Sequence, residues 1–299
     1  MKKLLIALLT FVGIASAQAQ SQVTVYGRIS EYFDNTKVGS TSVNRITDDL
    51  SRIGFKGTED LGNGLKAFFV LETGFAADAP GATTLGNRTA LVGIQNNLGS
   101  LSAGRDYHVV GTILNKYDAF GGFFGSNVSN IHMDQGKRIQ NAVFATVEPI
   151  KGLTFSIQNG FSEVAGATSI KAGSVGYDVG GFSATLGRMT DVDNNSASTA
   201  VGFKQEFVST GTTVFGLWSD DRVLGINSTG KSIGVNQALA NNLVAQASYG
   251  TNDNADAYSL GVAYKLSKRT EAGVKYSKVN ADNSINDVRS IGVGLTHNF

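Results

Sequence analysis

The sequence predicts an all-β chain: a transmembrane, antiparallel, up-and-down barrel of about sixteen strands. Three observations predict it. Apolar and polar residues alternate in short runs from end to end. The connectors between runs take turns at being short and long, as they do when the two rims of a barrel face different compartments. The composition combines 37 Gly and 2 Pro with 17 Phe and 9 Tyr, which excludes a disordered chain.

The first element is a leader. "MKKLLIALLTFVGIASAQAQ" carries Lys2 and Lys3, an apolar run from Leu4 to Ala15, and the small-residue site Ala17-Gln18-Ala19. The run is too short to span a bilayer, so residues 1–19 are expected to be a cleaved signal peptide and 20–299 a single barrel domain. Without the two leader lysines the chain has 23 basic and 24 acidic residues, a balance that argues against nucleic acid as a partner. It has no cysteine, hence neither disulfides nor a thiolate site.

The strands follow from alternation. "VTVYGRIS" sets Val23, Val25, Gly27 and Ile29 against Thr24, Tyr26, Arg28 and Ser30. "SRIGFKG" sets Ile53 and Phe55 against Arg52, Gly54 and Lys56. "TFSIQNGF" and "SIGVGLTHNF" repeat the pattern, with Phe155 and Ile157, then Ile291, Val293 and Leu295, on the apolar face. Each run has about the ~9–11 residues that a tilted strand needs to cross a bilayer.

The short connectors are 59–64, 96–100, 148–152, 178–181, 209–211, 240–242 and 266–269, mostly Gly/Asn/Asp turns suited to hairpins. The longer ones are 34–50, 75–87, 106–137, 162–169, 191–197, 221–230, 251–256 and 280–287. Pro80 and Pro149 both fall in connectors. Residues 106–137 stand apart: alternation stops there, yet Tyr and Phe persist. An insert of that length in a compact domain is usually functional or disordered.

Several stretches together carry a family resemblance: "QVTVYGRI", "SRIGFKGTEDLGNGLKAFF", "GSLSAGRDY", "YKLSKRTEAGVKYS" and the terminal "GVGLTHNF". The chain resembles a Gram-negative general diffusion porin of the betaproteobacterial type over essentially its whole mature length. The resemblance implies a homotrimer of sixteen-stranded barrels in the outer membrane, amid lipid and lipopolysaccharide, each with a water-filled pore for small hydrophilic solutes. It implies that Phe299 is read by the barrel-assembly machinery. It also implies that 106–137, the third long loop, folds into the lumen as a constriction.

Matched motif by motif, the basic wall of that constriction is Arg28, Arg52, Arg105 and Arg138, with Lys56 sharing the inward parity of Arg52. Arg105 has the parity of Leu101 and Ala103, which sends it to lipid unless a bulge intervenes or it stands above the hydrocarbon. Arg88 has the same difficulty beside Val92 and Ile94 and ranks below the others. On the loop, where relatives carry Pro-Glu-Phe-Gly-Gly, this chain reads Asp118-Ala119-Phe120-Gly121-Gly122. Asp118 is then the central acid, with Asp106 and Asp134 at the loop's ends. Phe120, Phe123 and Phe124 are expected to anchor the loop, and Gly121 and Gly122 to turn it. An excess of wall cations over loop acids predicts anion preference.

Other function classes fit worse. A hydrolase needs a nucleophile, a base and an orienter, but His108, His132 and His297 are scattered and no G-x-S-x-G elbow occurs. "DVDNNS" (191–196) lacks the glycine and glutamate of a calcium loop, so neither metal nor cofactor is expected. The alternative is a substrate-specific channel, for a sugar or organic anion, on the same fold; Tyr26, Tyr107, Tyr117 and Trp218 are too scattered to form an aromatic track. Val23, Val25, Ile291, Val293 and Leu295 are candidates for the subunit surface, and Tyr32, Phe33, Phe161, Phe207 and Tyr276 for interfacial girdles.

Overall fold

A computed structural model of the chain describes residues 22–133, 137–282 and 287–299. The leader and Asp134 lie outside them. Seventeen β segments close into one antiparallel barrel: β1 (Gln22–Val38), β2 (Thr41–Asp48), β3 (Arg52–Gly62), β4 (Leu65–Gly74), β5 (Thr89–Asn96), β6 (Gly99–Tyr107), β7 (Arg138–Ile150), β8 (Leu153–Gly160), β9 (Ile170–Val179), β10 (Phe182–Asp191), β11 (Ser196–Phe207), β12 (Thr212–Val223), β13 (Ile226–Ala240), β14 (Leu243–Asn252), β15 (Ala255–Lys265), β16 (Thr270–Ala281) and β17 (Val288–Asn298).

They make sixteen staves. β2 pairs with the upper half of β1, Glu31 to Val38, and β3 with the lower half, Gln22 to Arg28, so the two are one stave broken at residues 49–51. Leu50 takes a positive φ of 61° at the break, which turns Asp49 toward the lumen. β1 pairs with β17 from Arg28↔Asn298 to Val38↔Val288, and the barrel is closed. Phe299 extends that ladder: its N–H donates to Gly27 O and its carbonyl accepts from Gly27 N–H, both at 3.1 Å.

The apolar face points outward. Val23, Val25, Ile29 and Phe33 on β1 are 45–61% exposed, while Arg28, Ser30, Tyr32 and Asp34 between them are buried. This inside-out arrangement suits a hydrocarbon surround, and no helix among the described residues is long and apolar enough to cross a membrane.

The expected long connectors are corrected at several places. Residues 34–50 are mostly strand, turning at Gly39-Ser40, and 221–230 shrink to a turn at 224–225. There the residues are polar on both faces because water lies on both sides of the wall, and the ladder simply continues. Pro149 lies within β7, where the β7–β8 register shifts between Val147 and Ile150. Tyr32 points into the lumen rather than into a girdle, as its even parity on β1 requires.

Candidate functional site

The loop from β6 to β7 enters the lumen. His108 caps helix α1 (Val109–Lys116), its Nδ1 accepting from Gly111 N–H at 3.1 Å. α1 lies against β9, β10 and β11, burying Val110, Ile113 and Leu114 to 2% exposure or less, about 1.5–3 kcal/mol for each apolar side chain. Tyr117 Oη then bonds Ser183 Oγ and Thr185 Oγ1 at 2.8 and 2.7 Å. Ala119 O accepts from Asn236 and Gln246 at 3.0 and 2.9 Å.

At its tip the loop reaches the first stave. Phe124 stacks on Tyr32 at 4.4 Å, and its N–H donates to Asp49 Oδ1 at 2.8 Å. Phe123 lies under the Arg28 guanidinium at 3.8 Å, while Arg28 pairs with Asp49 Oδ2 at 3.0 Å. The return leg includes helix α2 (Val128–Ile131), held by Asn127 to Ala257 O at 3.1 Å. His132 follows, bonded to Ser219 Oγ at 2.7 Å and Ser232 Oγ at 2.8 Å. Ser219 gives its proton to Asp221, so it accepts from Nδ1–H of His132, and Nε2 accepts from Ser232. Burial lowers the His132 pKa to about 4.

Glycines on the wall make room for this path. A Cβ on Gly187 would meet Ile113 at 2.7 Å, on Gly234 Ala119 at 2.7 Å, on Gly261 Phe120 at 2.9 Å, and on Gly292 Phe124 at 2.7 Å. On Gly202 it would enter the Tyr117 ring. On Gly230 it would meet His132 at 2.6 Å and on Gly250 Ile131 at 3.0 Å, so the seat runs over β10, β11, β13, β14, β15 and β17.

The opposite wall, from β3 to β8, carries charge. Glu72 on β4 faces the lumen opposite Gly54, with Arg88 Nε at 2.6 Å and Arg52 Nε at 3.7 Å. Arg138 opens β7 with its guanidinium 3.8 Å from the Tyr107 ring, within electrostatic reach of Arg88 and Asp106. Asp106 Oδ1 accepts from Thr89 Oγ1 at 3.0 Å, and Lys56 stands 5.1 Å from the Tyr26 ring.

Several sequence assignments change. Arg105 does not reach the pore: the bulge that shifts the register beside it adds its residue to β7, between Ile139 and Ala142. β6 therefore keeps its parity, and Arg105 stays on the outer face, bonded to Asn87 O at 3.1 Å and Gln140 Oε1 at 2.9 Å. Asp118 is no central acid. It is 6% exposed and its carboxylate accepts from Gly122 N–H at 2.7 Å, closing the loop's own turn; burial raises its pKa. Arg28 is covered by Phe123 rather than bare. Arg88 precedes β5, where strand parity does not bind it, and joins the cluster. Glu72 was passed over because Phe68, Phe69, Val70 and Leu71 make β4 apolar at both parities, and only its pairing opposite Gly54 sets it on the inner face.

A family model described as "Gram-negative porin" matches residues 5–284. The chain belongs to the Gram-negative porins. Outer membrane porin protein 32 of Delftia acidovorans is 28% identical over 317 aligned residues, covering 100% of this chain and 86% of the relative. Major outer membrane protein P.IB of Neisseria meningitidis is also 28% identical, with 100% of both chains covered. Among solved structures, the "Anion-selective porin from Comamonas acidovorans" aligns with a TM-score of 0.82 at 23% identity, over 94% of this chain and 100% of that one.

This porin is a channel of the outer membrane for passive diffusion of small hydrophilic solutes, and not an enzyme. Its three histidines have unrelated work: His108 caps α1, His132 fastens the return leg, and His297 Nδ1 meets Thr270 Oγ1 at 3.0 Å. In 191–196, Asp191 Oδ2 accepts from Asn194 at 2.8 Å and Asp193 from Thr168, so these carboxylates close a surface turn.

Proposed function

We propose that this porin prefers anions, with Arg52, Lys56, Arg88 and Arg138 forming the basic wall of its constriction and residues 106–137 the facing loop. The observation that carries the proposal is the withdrawal of Asp118. With that carboxylate spent on the loop's own backbone, the charged cluster from β3 to β7 sets these four cations against Glu72 and Asp106. In a narrow space such an excess concentrates anions and repels cations. The similar fold of a protein titled as an anion-selective porin is consistent with it.

The working unit is a homotrimer, as in the trimeric form of the structurally similar OmpT of Vibrio cholerae. Residues 1–19 direct export and are removed, Phe299 serves recognition by the barrel-assembly machinery, and lipopolysaccharide surrounds the outer rim. The test is the conductance of folded protein in a planar bilayer across a KCl gradient. Steps in threes with an anion-selective reversal potential are expected, and Arg52→Ser should move that potential toward zero by several millivolts. A cation-selective wild type would overturn the charge assignment.

A further inference from the structure

The helix of the loop does not lie flush on the wall it crosses. α1 rests on β10 at Gly187, where an added Cβ would meet Ile113 at 2.7 Å and Val109 at 3.3 Å. Toward β8 and β9 it is tied at its two ends. Val109 N–H donates to Gln158 Oε1 at 3.0 Å, and Gln158 Nε2 donates to Tyr107 O at 3.3 Å. At the other end Lys116 pairs with Asp178 Oδ2 at 3.2 Å. Between these ties, ~10 Å apart along the helix, helix and wall part around a cavity of about 260 Å³.

The register explains the hollow. Across β8, β9 and β10, Thr154 pairs with Gly176 and Gly176 with Thr185, so the middle of that row has no side chain. In the next row Ser156 pairs with Ser174, and Ser174 with Gly187. Both rows face the lumen, because Phe155, Ile157, Tyr177 and Leu186 between them are 42–68% exposed on the outer wall. A Cβ on Gly176 would stand 3.1 Å from Thr185 Oγ1. At the lower end Asp178 N–H donates to Gly152 O at 2.9 Å, which sets Asp178 at the short-turn rim. In a porin that rim faces the periplasm.

The lining decides between ligand classes. Its two carboxylates, Asp106 and Asp178, face a single ammonium, Lys116, which Asp178 already holds. An anion would therefore meet a net negative surround. A cation finds Asp106 turned to the wall, its Oδ1 accepting from Thr89 Oγ1 at 3.0 Å and Tyr107 N–H at 2.8 Å. What remains is a set of hydroxyls, from Thr112, Thr154, Ser156, Ser174 and Thr185, beside the apolar flank of Ile113. Ser156 and Thr185 are bonded to Thr146 and Tyr117, whereas among the described residues Thr154 and Ser174 have no partner. Each hydroxyl can donate and accept, which matches a solute that is itself made of hydroxyls. At ~30 Å³ per water in the liquid, the space equals about nine waters, enough for one six-carbon sugar.

We infer that this cavity is a subsite for a neutral monosaccharide on the periplasmic side of the constriction. The sugar lies with its C–H face on Ile113, and its hydroxyls bond Thr154, Ser156 and Ser174. The inference goes beyond the anion preference proposed above and does not depend on it. It gives a diffusion pore one holding point, placed where a solute leaves the narrowest part.

The test is saturation-transfer NMR of folded, full-length protein in a sugar-free detergent. The probes are D-glucose, gluconate and glucosamine, alike in size and different in charge. On the wild type the glucose signal should exceed that of gluconate at least fivefold and that of glucosamine at least twofold. The double variant Thr154→Val, Ser174→Ala removes the two unpartnered hydroxyls and should lose the glucose signal at least fivefold, while Thr154→Ser should keep it. Equal glucose signals from wild type and the double variant overturn the site. So does a stronger signal from either charged probe, a comparison that needs the wild type alone. Reversal potential is read on the same preparation: a cation-selective wild type would strike the anion reading and leave the glucose comparison standing.

Discussion

The two halves of the inner wall are built on opposite rules. From β9 to β17 the wall offers glycine and small side chains, and the loop lies on them closely enough to bury Val110, Leu114, Val128 and Ile131 completely. From β3 to β8 it carries Arg52, Lys56, Glu72 and Arg138, with Arg138 3.8 Å from the Tyr107 ring and Arg52 5.8 Å from the ring of Phe123 at the loop tip. One half has given up side chains to hold a loop, and the other keeps charged ones. On the proposed reading the bore of the pore is set on one side and its charge preference on the other. The tip is where the halves meet, and Arg28 there serves the first: Asp49 and Phe123 occupy it.

The strongest way to break this division is to fill a seat. Gly202→Val would drive a side chain into the Tyr117 ring, and with Tyr117 go its bonds to Ser183 and Thr185. Overpacking of this kind costs about 1–3 kcal/mol. The expected outcome is a single-channel conductance changed by twofold or more with added flicker, while the sign of the reversal potential holds. A seat filled with no change in conductance would mean that the loop does not set the bore.

The charged half is probed by Glu72→Gln. It removes the counter-charge of both Arg88 and Arg52 without removing a cation. The anion-to-cation permeability ratio should rise two- to threefold at low salt and less at 1 M KCl, where the Debye length falls to about 3 Å. Conductance should change little. A fall in the ratio would place Glu72 as a clamp that keeps the arginines in the pore.

A smaller effect distinguishes the halves by pH. His132 fastens the covered half, and its pKa is lowered to about 4 by burial from 6.5. A base whose folded value is depressed supports the seated state fully above about pH 6.5 and loses that support as pH falls toward 4. By pH 5 the loss is about 2 kcal/mol. Flicker should therefore grow between pH 6.5 and 4 and then level, and His132→Gln should flatten that dependence. A wild type equally quiet at pH 7 and pH 4.5 would contradict it.

Much of this was legible in the chain and some was not, for physical reasons. Alternation is local, so the staves of "VTVYGRIS" and "SRIGFKG" and the face of Arg52 could be read from a few neighbours. Polarity beyond the membrane is not local in its meaning: 34–50 reads as loop because both of its faces meet water, although it pairs as strand. The seats were invisible because Gly202 and Gly292 matter only through a Tyr and a Phe far away in sequence. Asp118 misled because a carboxylate's position near a tip does not say whether it turns to solute or to its own backbone. Arg88 misled because parity has force only inside a ladder.

Arg105 is the complementary case, and it yields the smallest expected effect. Its parity put it outside, its motif put it inside, and the geometry of the bulge decides between them. An extra residue on β6 would have turned Arg105 to the lumen, whereas an extra residue on β7 leaves it beside Gln140 and Asn87 on the outer face. Arg105→Gln should then leave the reversal potential within a millivolt or two of wild type, while Arg52→Ser moves it by several times as much. A shift from Arg105→Gln as large as that from Arg52→Ser would mean that the outer face of β6 contributes to the pore's field, and that the division into a seating half and a charged half is drawn in the wrong place.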